Sequence, residues 1–144
     1  MGLDMYAYSV PKNEPIRVPS PDPDYEYEMH PDADPDYEYK MHPDADEFWY
    51  WRKNNALHGW MSNLAQESLG LSPGEFNCEY LQLSEAELNQ LGNDIRDGKL
   101  KPTEGFFFGA PSYSEEDQKQ DLEFVAQALR LIKEGKDIYY YSWW

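Results

Sequence analysis

The stretch "LDMYAYSV" alternates apolar and polar positions, and this period of two predicts a strand over 3–10 that carries rings at Tyr6 and Tyr8. Prolines follow at 11, 15, 19, 21 and 23; each fixes φ and removes a backbone donor, so regular structure is expected to stop there. Residues Ser20 to Asp46 then read as an exposed, extended loop. In "EFWYWRKNNALHGWMSNLAQ", Trp49, Lys53, Ala56/Leu57, Trp60/Met61 and Leu64 recur at steps of three and four. That spacing predicts an amphipathic helix over 47–66, stopped by Gly70 and "SPGEFN". "CEYLQL" reads as a short strand. Ser84 with Glu87 forms a capping-box pattern ahead of Leu88, Leu91 and Ile95, and the helix it opens should close at Gly98. "GFFFG" reads as a short apolar strand between glycines. Ser114 with Asp117 opens a third helix through Leu122, Val125, Ala126, Leu129 and Ile132, with Gly135 as its natural stop. "DIYYYSWW" closes the chain as a strand rich in β-formers.

This order predicts a single α+β domain over 1–144: an antiparallel sheet of three or four strands packed against about three helices on one face, with a long acidic, proline-rich loop at 20–46. The aromatic segments Tyr6–Tyr8, Phe106–Phe108 and Tyr139–Tyr141 are expected to supply the sheet side of the core.

Charge changes the picture. The 144 residues carry a formal net charge of −16. Between Pro21 and Glu47 stand eleven acidic residues and one lysine, a balance of −10, which leaves −6 for the other 117 residues. The acidic stretch is a repeat: "PDYEYEMHPDAD" and "PDYEYKMHPDAD" run from Pro23 to Asp46 and differ only at Glu28 against Lys40. Two copies of twelve residues are too few and too short for a solenoid. A tandem duplication in a loop accounts for them, since added loop length costs little folding free energy. Such acidity argues against direct nucleic-acid binding, because phosphates would be repelled, and it favours a basic partner or simple solubility. No run approaches membrane-spanning length, and "MGLDMYAYSV" lacks the basic and apolar regions of a targeting segment. Tyr6 stands where a myristoylation signal needs Ser or Thr.

Candidate chemistry is sparse. Cys78 is the single cysteine and cannot form an internal disulfide, which suits a reducing compartment; it reads as an inert thiol. His30, Asp32 and Asp34, with His42, Asp44 and Asp46, resemble metal-ligand spacing. The calcium-loop template nevertheless fails, because Tyr37 occupies the position of its glycine and Pro43 that of its bidentate glutamate. No metal and no cofactor is expected. As a protein-binding element, the repeat alternates carboxylates with tyrosines and can imitate a phosphate track; the residues named for it are Glu26, Asp32, Asp34, Glu38, Asp44 and Asp46, with Tyr25 and Tyr37 between them. A merely solvated loop is the competing reading. Arg52, Asn55 and His58 lie among tryptophans and are the candidates for a small-ligand pocket, against the plainer reading of His58 as a structural histidine. No nucleophile elbow, zinc-protease histidine pair or phosphate loop occurs, so no catalytic residue is assigned.

The opening "MGLDMY", the "TEGFFFG" segment, the close "IYYYSWW" and the pattern Tyr50, Trp51, Arg52, Lys53, Asn55, Leu57, His58 and Trp60 resemble a family of small proteins of tailed phages and prophages. The duplicated loop is the main departure. The family carries no assigned activity. The resemblance implies phage origin and action in the cytoplasm of a bacterial host. By analogy with small acidic phage proteins, it implies inhibition of a basic host protein, such as a CRISPR–Cas complex or a restriction enzyme, through a surface that mimics nucleic acid. The alternatives are a ligand-binding or enzymatic phage protein with a pocket around Arg52 and His58, and a structural component that self-associates through its apolar C-terminal segment.

Overall fold

The computed structural model describes residues 3–19, 39–100 and 113–144. The expected α+β architecture is present. A four-stranded antiparallel sheet is built from β1 (Asp4–Pro11), β4 (Asp46–Arg52), β5 (Tyr80–Leu83) and β6 (Lys136–Trp143), in the order β4-β1-β6-β5. Its partners are three helices: α1 (Asn55–Leu69), α2 (Glu85–Arg96) and α3 (Glu115–Lys133). A separate two-stranded ribbon pairs β2 (Arg17–Pro19) with β3 (Tyr39–Met41).

The sheet alternates as a half-buried sheet should. Leu3, Met5 and Ala7, Trp51, Leu81 and Leu83, and Ile138 and Tyr140 all face one side, where they join residues of all three helices in one buried cluster. The helices reach this core through Leu57, Met61 and Ala65 from α1, Leu88, Leu91 and Ile95 from α2, and Phe124, Val125 and Ala128 from α3. Both predicted capping boxes are formed: Ser84 accepts from the Glu87 amide and Ser114 from the Asp117 amide, while each acidic side chain reaches back to its cap. Gly135, at φ 90, follows the end of α3 and turns the chain into β6.

Three expectations are corrected. The helix over 47–66 begins only at Asn55, and residues 46–52 are β4, paired with β1. Between Ala7 and Tyr8 the register slips, so Phe48 is an extra residue opposite no partner. This bulge places Phe48 and Trp49 both against Phe124 of α3, at 5.9 and 6.0 Å between ring centroids. The turn into α1 uses Lys53 at φ 59 and Asn54 as N-cap, whose side chain accepts from the Leu57 amide. Second, the loop expected over 20–46 is interrupted by structure. Arg17–Pro19 and Tyr39–Met41 form the ribbon, and β4 starts at Asp46. The segment 20–38 lies outside the described residues, as does the strand predicted at "GFFFG". Third, Tyr6, Tyr8, Tyr139 and Tyr141 do not line the core. They stand on the opposite face, and of these two strands' tyrosines only Tyr140 is buried among the helices.

Candidate functional site

Alternation places the tyrosines of four strands on the face that carries no helix among the described residues. The registers Tyr50↔Tyr6, Tyr6↔Tyr141 and Tyr141↔Tyr80 align one tyrosine from each strand in a row across the sheet. A second row runs Glu47, Tyr8, Tyr139, Gln82. The rings touch: Tyr6 lies 5.2 Å from Tyr50, 6.2 Å from Tyr141 and 6.2 Å from Tyr8, and Tyr80 lies 4.7 Å from Tyr141 and 6.1 Å from Tyr8. Tyr50 is 49 % exposed and the other five are half-buried. Trp143, on the same face opposite Asp4, is 55 % exposed. Burial raises the hydroxyl pKa of Tyr8 to about 12 and lifts those of Tyr6, Tyr80, Tyr139 and Tyr141. For Tyr50 the main cause is the hydrogen bond it donates to Asp4 Oδ1 at 2.6 Å. The tyrosine hydroxyls of this face are therefore protonated at physiological pH, and Asp4, Glu47 and Asp137 stand among its strand residues.

The ribbon sits at one end of this surface. Arg17 of β2 holds its guanidinium 5.0 Å above the Tyr80 ring, donates to the Cys78 carbonyl at 3.2 Å and lies 4.0 Å from Glu79. Val10 and Ile16 are buried here, outside the main core. His42 extends the ribbon: its amide donates to the Ile16 carbonyl, and its Nδ1 accepts from the Asp44 amide at 2.9 Å. Its other ring nitrogen, Nε2, faces Glu14 Oε1 at 3.6 Å. Because β2 and β3 pair, the chain enters and leaves the acidic segment 20–38 at one place, beside the tyrosine rows.

Of the residues named for partner binding, Glu26, Asp32, Asp34, Glu38, Tyr25 and Tyr37 lie outside the described residues. Asp44 is exposed in the turn after the ribbon, and Asp46 is exposed at the start of β4, opposite Ser9.

The three residues named for a pocket are not brought together. Arg52 faces the open side of the sheet, its side chain 65 % exposed and 4.0 Å from Asp4. His58 and Asn55 are buried on α1, on the core side. The His58 ring stacks on Phe76 at 5.6 Å and meets Trp144 edge-on at 4.9 Å. Its Nδ1 is hydrogen-bonded to the Tyr140 hydroxyl at 2.7 Å. Desolvation lowers its pKa to about 4, so it is neutral at physiological pH. His58 thus has the surroundings of a structural histidine.

A second buried polar group escaped the sequence reading. Asp121 of α3 accepts from Trp51 Nε1 at 3.0 Å, from Asn54 Nδ2 at 3.0 and 3.1 Å, and from the Tyr113 hydroxyl at 2.5 Å. Burial pushes its pKa up, against the hydrogen bonds from three residues that hold it down. Asn54 acts twice, capping α1 through its oxygen and binding Asp121 through its nitrogen. Asp121 joins β4, the start of α1 and α3; its position among Leu122 and Val125 in the helical pattern gave no sign of these partners.

Among the described residues, no three His, Cys, Asp or Glu side chains group as a metal site, and no helix is long and apolar enough to cross a membrane. Comparison with protein-family models, with curated proteins and with solved structures finds no match.

Proposed function

We propose that this chain is a binding protein that presents an acidic surface to a basic protein partner. In the setting its family resemblance implies, it is a phage accessory inhibitor acting in the bacterial cytoplasm on a nucleic-acid-binding defence complex. The supporting observation is the concentration of charge: residues 20–38 hold eight carboxylates and no cation, −8 of the total −16, and the two ends of this segment are clamped by the β2–β3 ladder to the folded body. Clamping makes the body a carrier that holds the strip at one site. A strip of carboxylates there would attract a positive nucleic-acid channel, raising the association rate at low salt. The ligand-pocket reading has less support, since Arg52 and His58 sit on opposite sides of the sheet.

The test is capture of bacterial proteins on the intact chain and on a form with Glu26→Gln, Asp32→Asn, Asp34→Asn, Glu38→Gln and Asp44→Asn. Neutralisation is cleaner than deleting 23–46, which would remove β3 and the first residue of β4. The expected result is a basic partner held by the intact chain, competed by nucleic acid, released by salt and lost in the neutralised form. A partner retained equally by both forms refutes the role of the strip.

A further inference from the structure

We infer that the tyrosine rows on the open face of the sheet bind guanidinium groups of an arginine-rich segment of the partner. This deepens the reading of the chain as a receptor for a basic protein, and rests on it.

Four observations point to arginine. The first is continuity: Tyr50, Tyr6, Tyr141 and Tyr80 run in register across all four strands, with Tyr8 and Tyr139 beside them, so the rings form one surface. Six tyrosine rings share this face, with the three helices on the other side, and neighbouring rings are inclined by 23° to 63°, so they offer faces and edges at several angles to planar groups. The second is that the chain already uses one ring in this way. Arg17 stacks on Tyr80 at 5.0 Å, with Glu79 4.0 Å away, which combines a π face with a carboxylate. The third is a repetition of the charge arrangement at the far edge. Asp4 accepts from Tyr50 and lies 4.0 Å from Arg52, so a guanidinium, a carboxylate and a tyrosine meet there too. The fourth is sign. An aromatic sheet face could stack nucleic-acid bases instead, but the bases bring phosphates to a chain of net charge −16. Charge complementarity selects a cation, and planarity selects arginine over lysine.

The experiment titrates the full-length protein with octaarginine, with octalysine of the same charge and with a single-stranded oligonucleotide, following affinity by calorimetry. Octaarginine is expected to bind at least about threefold more tightly than octalysine, the range of one or two cation–π contacts. The preference should survive neutralisation of the repeat, survive Tyr50→Phe with Tyr141→Phe, and vanish with Tyr50→Ile and Tyr141→Ile. Equal affinity for the two peptides overturns the tyrosine site and leaves the acidic strip standing. An arginine preference that persists in the isoleucine form overturns it as well. So does tighter binding of the oligonucleotide, or a dimer in light scattering that closes the face to peptide. Failure of both peptides to bind removes the parent reading together with this one. If the isoleucine form does not fold, the ring resonances of tyrosine-labelled intact protein decide. Octaarginine must shift those of Tyr6, Tyr50 and Tyr141, and shifts confined to tyrosines of the repeat refute the site.

Discussion

His58 and Asp121 are two buried titratable residues with opposite consequences. His58 is fully buried and its folded pKa, about 4, lies below its usual value of 6.5. In that window the unfolded chain takes up a proton that the folded chain refuses. The contribution is therefore intact above pH 6.5 and is lost as pH falls toward 4. The loss is on the order of 3 kcal/mol. His58→Gln removes the titration, so urea midpoints of the two proteins should converge as pH drops from 7 to 4.5; a gap that stays constant would assign the acid sensitivity elsewhere. Asp121 differs because its three donors matter more than its charge. Asp121→Ala leaves Trp51 Nε1 and the Tyr113 hydroxyl without their acceptor in a buried site. It should cost about 3 kcal/mol or more. Asp121→Asn keeps one acceptor oxygen and avoids burying a charge, so its cost should be clearly smaller by the same denaturation measurement.

At the scale of elements, what could be read from the sequence depended on whether local signals agreed. α2 and α3 carry capping boxes and a continuous apolar stripe, and both were legible within a residue or two. β4 was not. Its bulge turns Phe48 and Trp49 to the same side, which erases the alternation that marks a strand and imitates helical spacing into α1. Asn54, the N-cap of α1, is a position that this spacing places inside the helix. The tyrosine face was half-legible. Tyr6 and Tyr8 alternate plainly, yet alternation alone does not say which side meets the helices; Met5 and Ala7 take that side and join the buried cluster. In "YYY" all three residues are aromatic and alternation is silent. α2 also holds an element-scale prediction. A Cβ at Gly92 would meet only the tip of Arg96 at 3.3 Å and Val125 Cγ1 at 3.4 Å. The flexible Arg96 side chain can yield, so Gly92→Ala should gain the helix propensity of alanine, about 0.5–1 kcal/mol. A lower melting temperature would show that the α2–α3 contact cannot relax by a few tenths of an ångström.

At the scale of the molecule, the fold and the acidic strip make separable contributions to stability. Deleting the first copy, Pro23 to Asp34, removes five carboxylates and no cation, taking the net charge from −16 to −11. The deletion leaves β2, β3 and β4 intact, and shortens the connection between Pro19 and Tyr39 from 19 residues to 7. Shorter closure favours the folded state by about 1 kcal/mol, and weaker self-repulsion acts in the same direction at low salt. The melting temperature should therefore rise by roughly 2–8 °C at low ionic strength. The electrostatic part should shrink toward 1 M salt, where the Debye length is about 3 Å, and leave the salt-independent closure gain. A fall in melting temperature would mean that the first copy packs against the body and contributes native contacts. The strip would then be part of the fold as well as a charge carried by it, and the arginine-binding face beside it would have to be redefined to include those contacts.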